Sequence, residues 1–127
     1  MDAQSYLDLI RFRLATSTAI VEVNIVKERA SENQGQFRAR LRLHNGDFLE
    51  ISEYFRIKEE EVQTVEYRFQ WMDPAKETLR KRWDNAPHYP KLPGFPHHIH
   101  IGNSGEVIAG FPLNIPQFIE LFEHEVE

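Results

Sequence analysis

The chain has 127 residues, enough for one domain with its own core, and 41% hydrophobic with 28% charged residues is not the composition of a disordered chain. It has no cysteine, which excludes a disulfide framework, and no apolar run approaches the roughly 20 residues that span a bilayer. A net charge of −5 argues against holding nucleic acid by bulk electrostatics.

That charge is unevenly spread. Acids gather at Glu59, Glu60 and Glu61 and again at Glu120, Glu123, Glu125 and Glu127, whereas arginine dominates the central segments. Residues 1–5 lack the basic start and apolar stretch of a secretion signal, so a cytoplasmic location without membrane association is expected.

Ser5 is a candidate cap for a helix reaching about Leu14, with Leu7, Ile10 and Leu14 at helical spacing. Over residues 18–27 the period changes to two, and Val21, Val23 and Ile25 alternate with Glu22, Asn24 and Val26 as in a strand. Residues 30–36 are small and polar, the composition of a turn. The next segment alternates more cleanly: Phe37, Ala39, Leu41 and Leu43 on one face, Arg38, Arg40, Arg42 and His44 on the other.

Asn45-Gly46 is a strong tight-turn signal, because both residue types tolerate positive φ. The strand after it places Leu49, Ile51, Phe55 and Ile57 on one face with Glu53 among them. That carboxylate is either at a wet sheet edge or buried for a purpose. Residues 58–61 form a charged turn, and Val65, Tyr67, Phe69 and Trp71 follow at period two.

Asp73-Pro74 turns the chain again, and Leu79 and Trp83 alternate with Arg80, Arg82 and Asp84. Pro87, Pro90, Pro93 and Pro96 then mark an irregular loop. Residues 97–101 suit a short strand closed by Gly102-Asn103-Ser104-Gly105. Last comes a helix capped by Asn114, with Gln117 in capping-box position and Ile115, Phe118, Ile119, Phe122 and Val126 as its apolar stripe.

Successive strands on short turns predict one α+β domain over residues 1–127. Its core is an antiparallel meander of about five to six strands, with the N- and C-terminal helices packed on one face. The other face then carries Arg38, Arg40, Arg42, Arg56, Arg68, Arg80 and Arg82 among Glu22, Glu50, Glu66 and Asp84. Such charges ordinarily pair across strands on a solvated face. The excess of arginine also suits phosphate, which makes Arg40, Arg42, Arg68 and Arg80 candidate RNA-binding residues.

His97, His98 and His100 stand together, with His88 nearby. In an extended segment His98 and His100 share one face and His97 takes the other. Two imidazoles at that spacing would chelate a transition metal only with a third ligand, for which Asp84 and His88 are the nearest candidates, and no metal or cofactor is assigned on this basis. Without metal, a pair of histidines supplies base and acid for cleaving an RNA phosphodiester through its 2′-hydroxyl. Arg82 would stabilise the transition-state charge and Asp84 would orient an imidazole. That chemistry requires the proline-rich loop to bring His88 back toward His98 and His100. The plainer alternative has these histidines bonding backbone groups under the loop. Trp83 is expected in the core, and Asp84-Asn85 at a turn.

Tyr67-Arg68-Phe69-Gln70-Trp71, the block from Arg82-Trp83-Asp84-Asn85 to Ala86-Pro87-His88, and Phe95-Pro96-His97-His98-Ile99-His100-Ile101-Gly102 together resemble the TumE-like family. Ser52-Glu53-Tyr54 belongs to the same likeness, which runs over most of the chain. Members are regarded as toxins of bacterial toxin–antitoxin pairs. The resemblance implies a small cytoplasmic protein silenced by a cognate antitoxin encoded beside it. Many toxins of this size are ribonucleases, an analogy by class, and those acting on RNA are often basic, unlike this chain. The expected function is therefore a toxin with ribonuclease activity at His88, His98, His100, Arg82 and Asp84. A non-catalytic module binding RNA or protein through the arginine face, and a metal-dependent hydrolase, are the alternatives. An exposed edge strand of the meander offers a homodimer contact.

Overall fold

The computed structural model describes residues 1–102 and 104–126. Helix α1 (Ala3–Thr16) leads into strands β1 (Ile20–Ala30), β2 (Gln34–Leu43), β3 (Phe48–Lys58), β4 (Glu61–Met72), β5 (Leu79–Asp84), β6 (His98–Ile101) and β7 (Glu106–Ala109), and helix α2 (Ile115–Glu125) closes the chain. The described strands form one antiparallel sheet in sequence order. The α+β meander is as expected, with seven strands in place of five to six. The four residues of β7, Glu106-Val107-Ile108-Ala109, are too few to show a period in the sequence.

The helices cover one face. Leu7, Ile10 and Leu14 of α1 and Ile115, Phe118, Ile119 and Phe122 of α2 are buried with Phe37, Ala39, Leu41, Leu49, Ile51, Phe69 and Trp83 of the sheet. Aromatic rings fill the α2 side: Phe118 stacks on Phe69 at 4.3 Å between centroids and meets Trp83 edge-on at 4.9 Å. Trp83 is thus a core residue, as its register predicts.

Several boundaries shift for local reasons. Asp2, not Ser5, caps α1: its carboxylate accepts from the Ser5 amide at 2.7 Å. β1 and β2 run through most of the expected turn at residues 30–36, because Gly35 admits the Phe55 ring against its Cα. At residues 45–46 only Gly46 has positive φ, while Asn45 accepts from the Asp47 amide through its side chain at 2.9 Å. The Lys58 to Glu61 hairpin turns on Glu59 and Glu60, both at positive φ. Asn114 and Gln117 make the expected capping box of α2.

Glu53 is fully buried on the covered face and serves as a junction. It accepts from the Tyr6 hydroxyl of α1 at 2.8 Å, the Thr64 hydroxyl of β4 at 2.8 Å, and the Ile115 amide at the start of α2 at 2.8 Å. Burial pushes its carboxyl above the ordinary range, against the pull of those donors. No described helix is long and apolar enough to cross a membrane.

Candidate functional site

The uncovered sheet face is a lattice in register. Arg38, Ser52, Arg68, Asp84 and His98 stand opposite one another across β2 to β6, and Arg40, Glu50, Gln70, Arg82 and His100 form the next row. Side chains opposite each other in an antiparallel pair lie close enough to interact directly. The period of two therefore assembles a polar cluster on this face from residues scattered along the chain. Its floor is continuous with a cleft of about 480 Å³, walled on one side by the loop after β5 and lined by Arg68, Arg82, Asp84, His88, His98 and His100. That volume lies within the range of small-molecule sites.

Asp84 is the centre of the cluster. Its Oδ1 lies 2.9 Å from His98 Nε2 and accepts from the Ala86 amide at 3.0 Å, and its Oδ2 accepts from Arg82 Nε at 3.2 Å and lies 3.5 Å from His100 Nε2. The turn role expected of Asp84 and the site role are the same carboxylate acting twice. Asn85 makes no turn bond of its own among the described residues; its side chain accepts from the Tyr67 amide and donates to the Val65 carbonyl, extending the β4 edge.

The two clustered histidines differ. His98 has a side chain only 1% exposed, and its nitrogens face two acceptors, Asp84 Oδ1 and the Pro96 carbonyl at 2.9 Å. His100 Nε2 instead lies 3.1 Å from Arg82 Nη2, which can only donate, so Nε2 is an acceptor and the proton of the neutral ring sits on Nδ1. Burial, and then the Arg82 guanidinium, hold His100 below the ordinary histidine value, which agrees with a neutral ring. His88 lines the same cleft and is exposed.

The Tyr89 ring packs edge-on against His98 at 4.8 Å and His100 at 5.9 Å. Neither Tyr89 nor the Pro96 carbonyl was legible as part of the site, because both come from the irregular loop. His97 turns to the covered side, as alternation predicts, 2.9 Å from the Tyr67 hydroxyl; burial lowers its titration below the ordinary value.

The arginines divide. Arg68 lines the cleft and donates to Gln70 at 2.7 Å. Arg38 and Arg40 both pair with Glu50 at 3.2 Å, the ordinary cross-strand arrangement. Arg42 donates to the Gly46 and Pro74 carbonyls. Arg80 corrects the expected register: a bulge in β5 opposite Trp71 turns it off the open face onto buried Asp47 at 2.7 Å. Of the arginines expected to bind RNA, only Arg68 lines the cleft. Gln36, Ser52, Tyr54 and Glu66 line it as well, and their parity with the arginines is the signal that would have found them.

Asp84, His98 and His100 offer donor atoms within 4.8 Å of one another, a spacing that three ligands of one metal ion can take. The Arg82 guanidinium already lies against both Asp84 Oδ2 and His100 Nε2, so a bound cation would displace it.

Compared with known proteins, residues 9–127 match the family model described as Toxin TumE. No curated protein and no solved structure matches the chain.

Proposed function

We propose that this chain, which belongs to the TumE toxin family, is a metal-independent ribonuclease whose reaction runs at His100, His88, Arg82 and Arg68. The observation that supports it best is the Arg82–His100 contact: a neutral imidazole whose acceptor nitrogen is held by a guanidinium, on the floor of an open cleft. When an RNA phosphodiester enters, Arg82 and Arg68 transfer to its oxygens and His100 Nε2 is released. His100 takes the 2′-hydroxyl proton, O2′ bonds to phosphorus, and the P–O5′ bond breaks. The leaving O5′ takes a proton from His88, the exposed imidazole of the cleft. The products are a 2′,3′-cyclic phosphate and a 5′-hydroxyl.

His98 and Asp84 act behind this pair. Both nitrogens of His98 are partnered and its ring is enclosed, so it positions Asp84, and Asp84 positions Arg82. Arginines on the transition-state oxygens supply the electrostatic part of catalysis, best where water is excluded.

Pure protein is incubated with RNA in the presence of a chelator, beside His100→Ala and His88→Ala variants. Wild-type cleavage to cyclic-phosphate ends, DNA left whole, and a loss of about a hundredfold or more in each variant are expected. RNA left intact across pH and metal conditions overturns the enzyme reading.

The convergence of Asp84, His98 and His100 supports a second reading, a metal-dependent hydrolase. Cleavage abolished by chelator, with about one transition metal per chain in protein purified without a histidine tag, would select it. A non-catalytic RNA-binding face is the weaker alternative, since Arg40 and Arg42 already have partners. The toxin family implies a cognate antitoxin as the partner.

A further inference from the structure

We infer that the end of the cleft away from the histidines is a guanine subsite, with Glu66 reading the base and Gln36, Ser52 and Tyr54 completing it. The inference rests on the ribonuclease reading and adds to it a base preference: cleavage on the 3′ side of guanosine.

The starting point is an unpaired carboxylate. The other acids of the open sheet face near the cleft are engaged, Asp84 by Arg82 and His98, and Glu50 by Arg38 and Arg40. Glu66 lines the cleft and has no hydrogen bond or ion pair among the described residues. The nearest cation along its own strand, Arg68, is turned to Gln70 instead. A free carboxylate beside a phosphate-binding centre repels a polyanion unless it accepts from donors that the ligand brings.

Base edges differ in what they offer. The Watson–Crick edge of guanine carries two adjacent donors, N1–H and the exocyclic N2 amine, which match the two oxygens of a carboxylate. Adenine and cytosine each place one amine beside an acceptor nitrogen, and uracil places one N–H between two carbonyls. Those edges confront a carboxylate with at least one lone pair. Glu66 thus selects guanine by attraction and rejects the others by repulsion.

The neighbouring side chains fit the rest of that base. Gln36 and Glu66 are the cross-strand partners of Tyr54 on its two sides, so the three form a row across β2, β3 and β4. Tyr54 donates to Gln34 at 2.8 Å, which anchors its ring between them as an aromatic surface for the base. The Gln36 amide and the Ser52 hydroxyl have no partner among the described residues, and the amide can donate to guanine O6, which adjoins N1. Glu66 lies two strands across and two pleats along from His100, a backbone separation of about 17 Å from standard sheet spacings, with Arg68 between them one pleat from Glu66 on its own strand. Side chains extending from both ends shorten that span to one nucleotide, base at one end and 3′ phosphate at the other.

The test measures binding first and cleavage second. The four nucleoside 3′-monophosphates are titrated into wild-type protein and Glu66→Gln, an exposed position where the amide keeps the shape. Wild type should bind guanosine 3′-monophosphate at least about tenfold more tightly than the other three, and Glu66→Gln should bring all four within about twofold. Equal affinities in wild type, no binding of any, or a guanine preference that survives Glu66→Gln overturns the subsite. Oligodeoxynucleotides carrying a single ribonucleotide then separate the two claims. Cleavage after riboguanosine alone supports both. Equal cleavage after all four leaves the ribonuclease and removes the subsite. Selective binding without cleavage anywhere leaves the subsite and removes the ribonuclease.

Discussion

His98 and His100 are two residues apart in sequence, yet their ring nitrogens face different partners because their neighbours differ. His98 is enclosed between a carboxylate and a carbonyl, whereas His100 receives a guanidinium hydrogen. In an NMR titration, His100 should lose its proton below the ordinary histidine value near 6.5. Arg82→Gln should move that titration upward, though only in part, since burial is the larger cause. A titration unchanged by the substitution would dissociate Arg82 from the state of the ring. Both His97 and His100 are held below the ordinary value in the folded chain. Unfolding therefore takes up protons, and their contribution to stability is present above about 6.5 and lost as pH falls through the folded values.

Glu53 carries the opposite sign. Its folded carboxyl titrates above the ordinary 4.5, so its contribution to stability is present below that value and declines as pH rises through the folded one. Denaturant melts of wild type and Glu53→Gln across pH should show wild type losing ground relative to the variant above about 4.5. Glu53→Ala is expected to cost about 3 kcal/mol at neutral pH, since it strands the Tyr6 and Thr64 hydroxyls and the Ile115 amide.

Among the elements, the hairpin between β3 and β4 is the least comfortable. Glu59 and Glu60 adopt φ of 52° and 64°, which side chains with a Cβ tolerate poorly, and an asparagine followed by a glycine is the pair favoured there. The double substitution Glu59→Asn with Glu60→Gly should raise stability by about 1 kcal/mol, read as a higher denaturation midpoint at unchanged slope. On β2, opposite Phe55, a glycine is required. A Cβ on Gly35 would come within 2.3 Å of the Phe55 ring, so Gly35→Ala should destabilise by about 2 kcal/mol. The long, strictly alternating strands were legible because burial on one face imposes a period of two. The bulge that turns Arg80 onto Asp47 was not, since one extra residue in β5 reverses a side chain without altering composition.

At the scale of the whole molecule, an acidic chain with a net charge of −5 concentrates Arg68 and Arg82 beside its histidines on the uncovered sheet face. On the proposed ribonuclease reading, RNA affinity should then depend on few ion contacts and fall only modestly between low and physiological salt, in contrast to a basic binding surface. Binding that collapses over that range would point to a wider arginine surface. In cells, expression of wild type should arrest growth and that of His100→Ala should not, while both are expected to copurify with the antitoxin. Arrest by the variant would separate toxicity from His100.

Much of the candidate site was legible in the sequence as a set of residues, since His88, His98, His100, Arg82 and Asp84 all line one cleft. Alternation determined by itself which side chains share a face wherever a strand runs without a bulge, because regular strand geometry leaves no freedom in that choice. It also determined the sheet's share of the core and most of the uncovered arginine face, while the spacing of Asn114 and Gln117 determined the capping box of α2. Short turns already made successive strands neighbours, and only the tertiary structure decided the register in which they pair. That pairing sets Asp84 opposite His98, gives His100 its guanidinium neighbour, takes Arg80 away from the cleft and leaves Glu66 without a partner among the described residues. Those are contacts between residues distant in sequence, fixed by register and bulges, and periodicity within a strand carries no information about its neighbours.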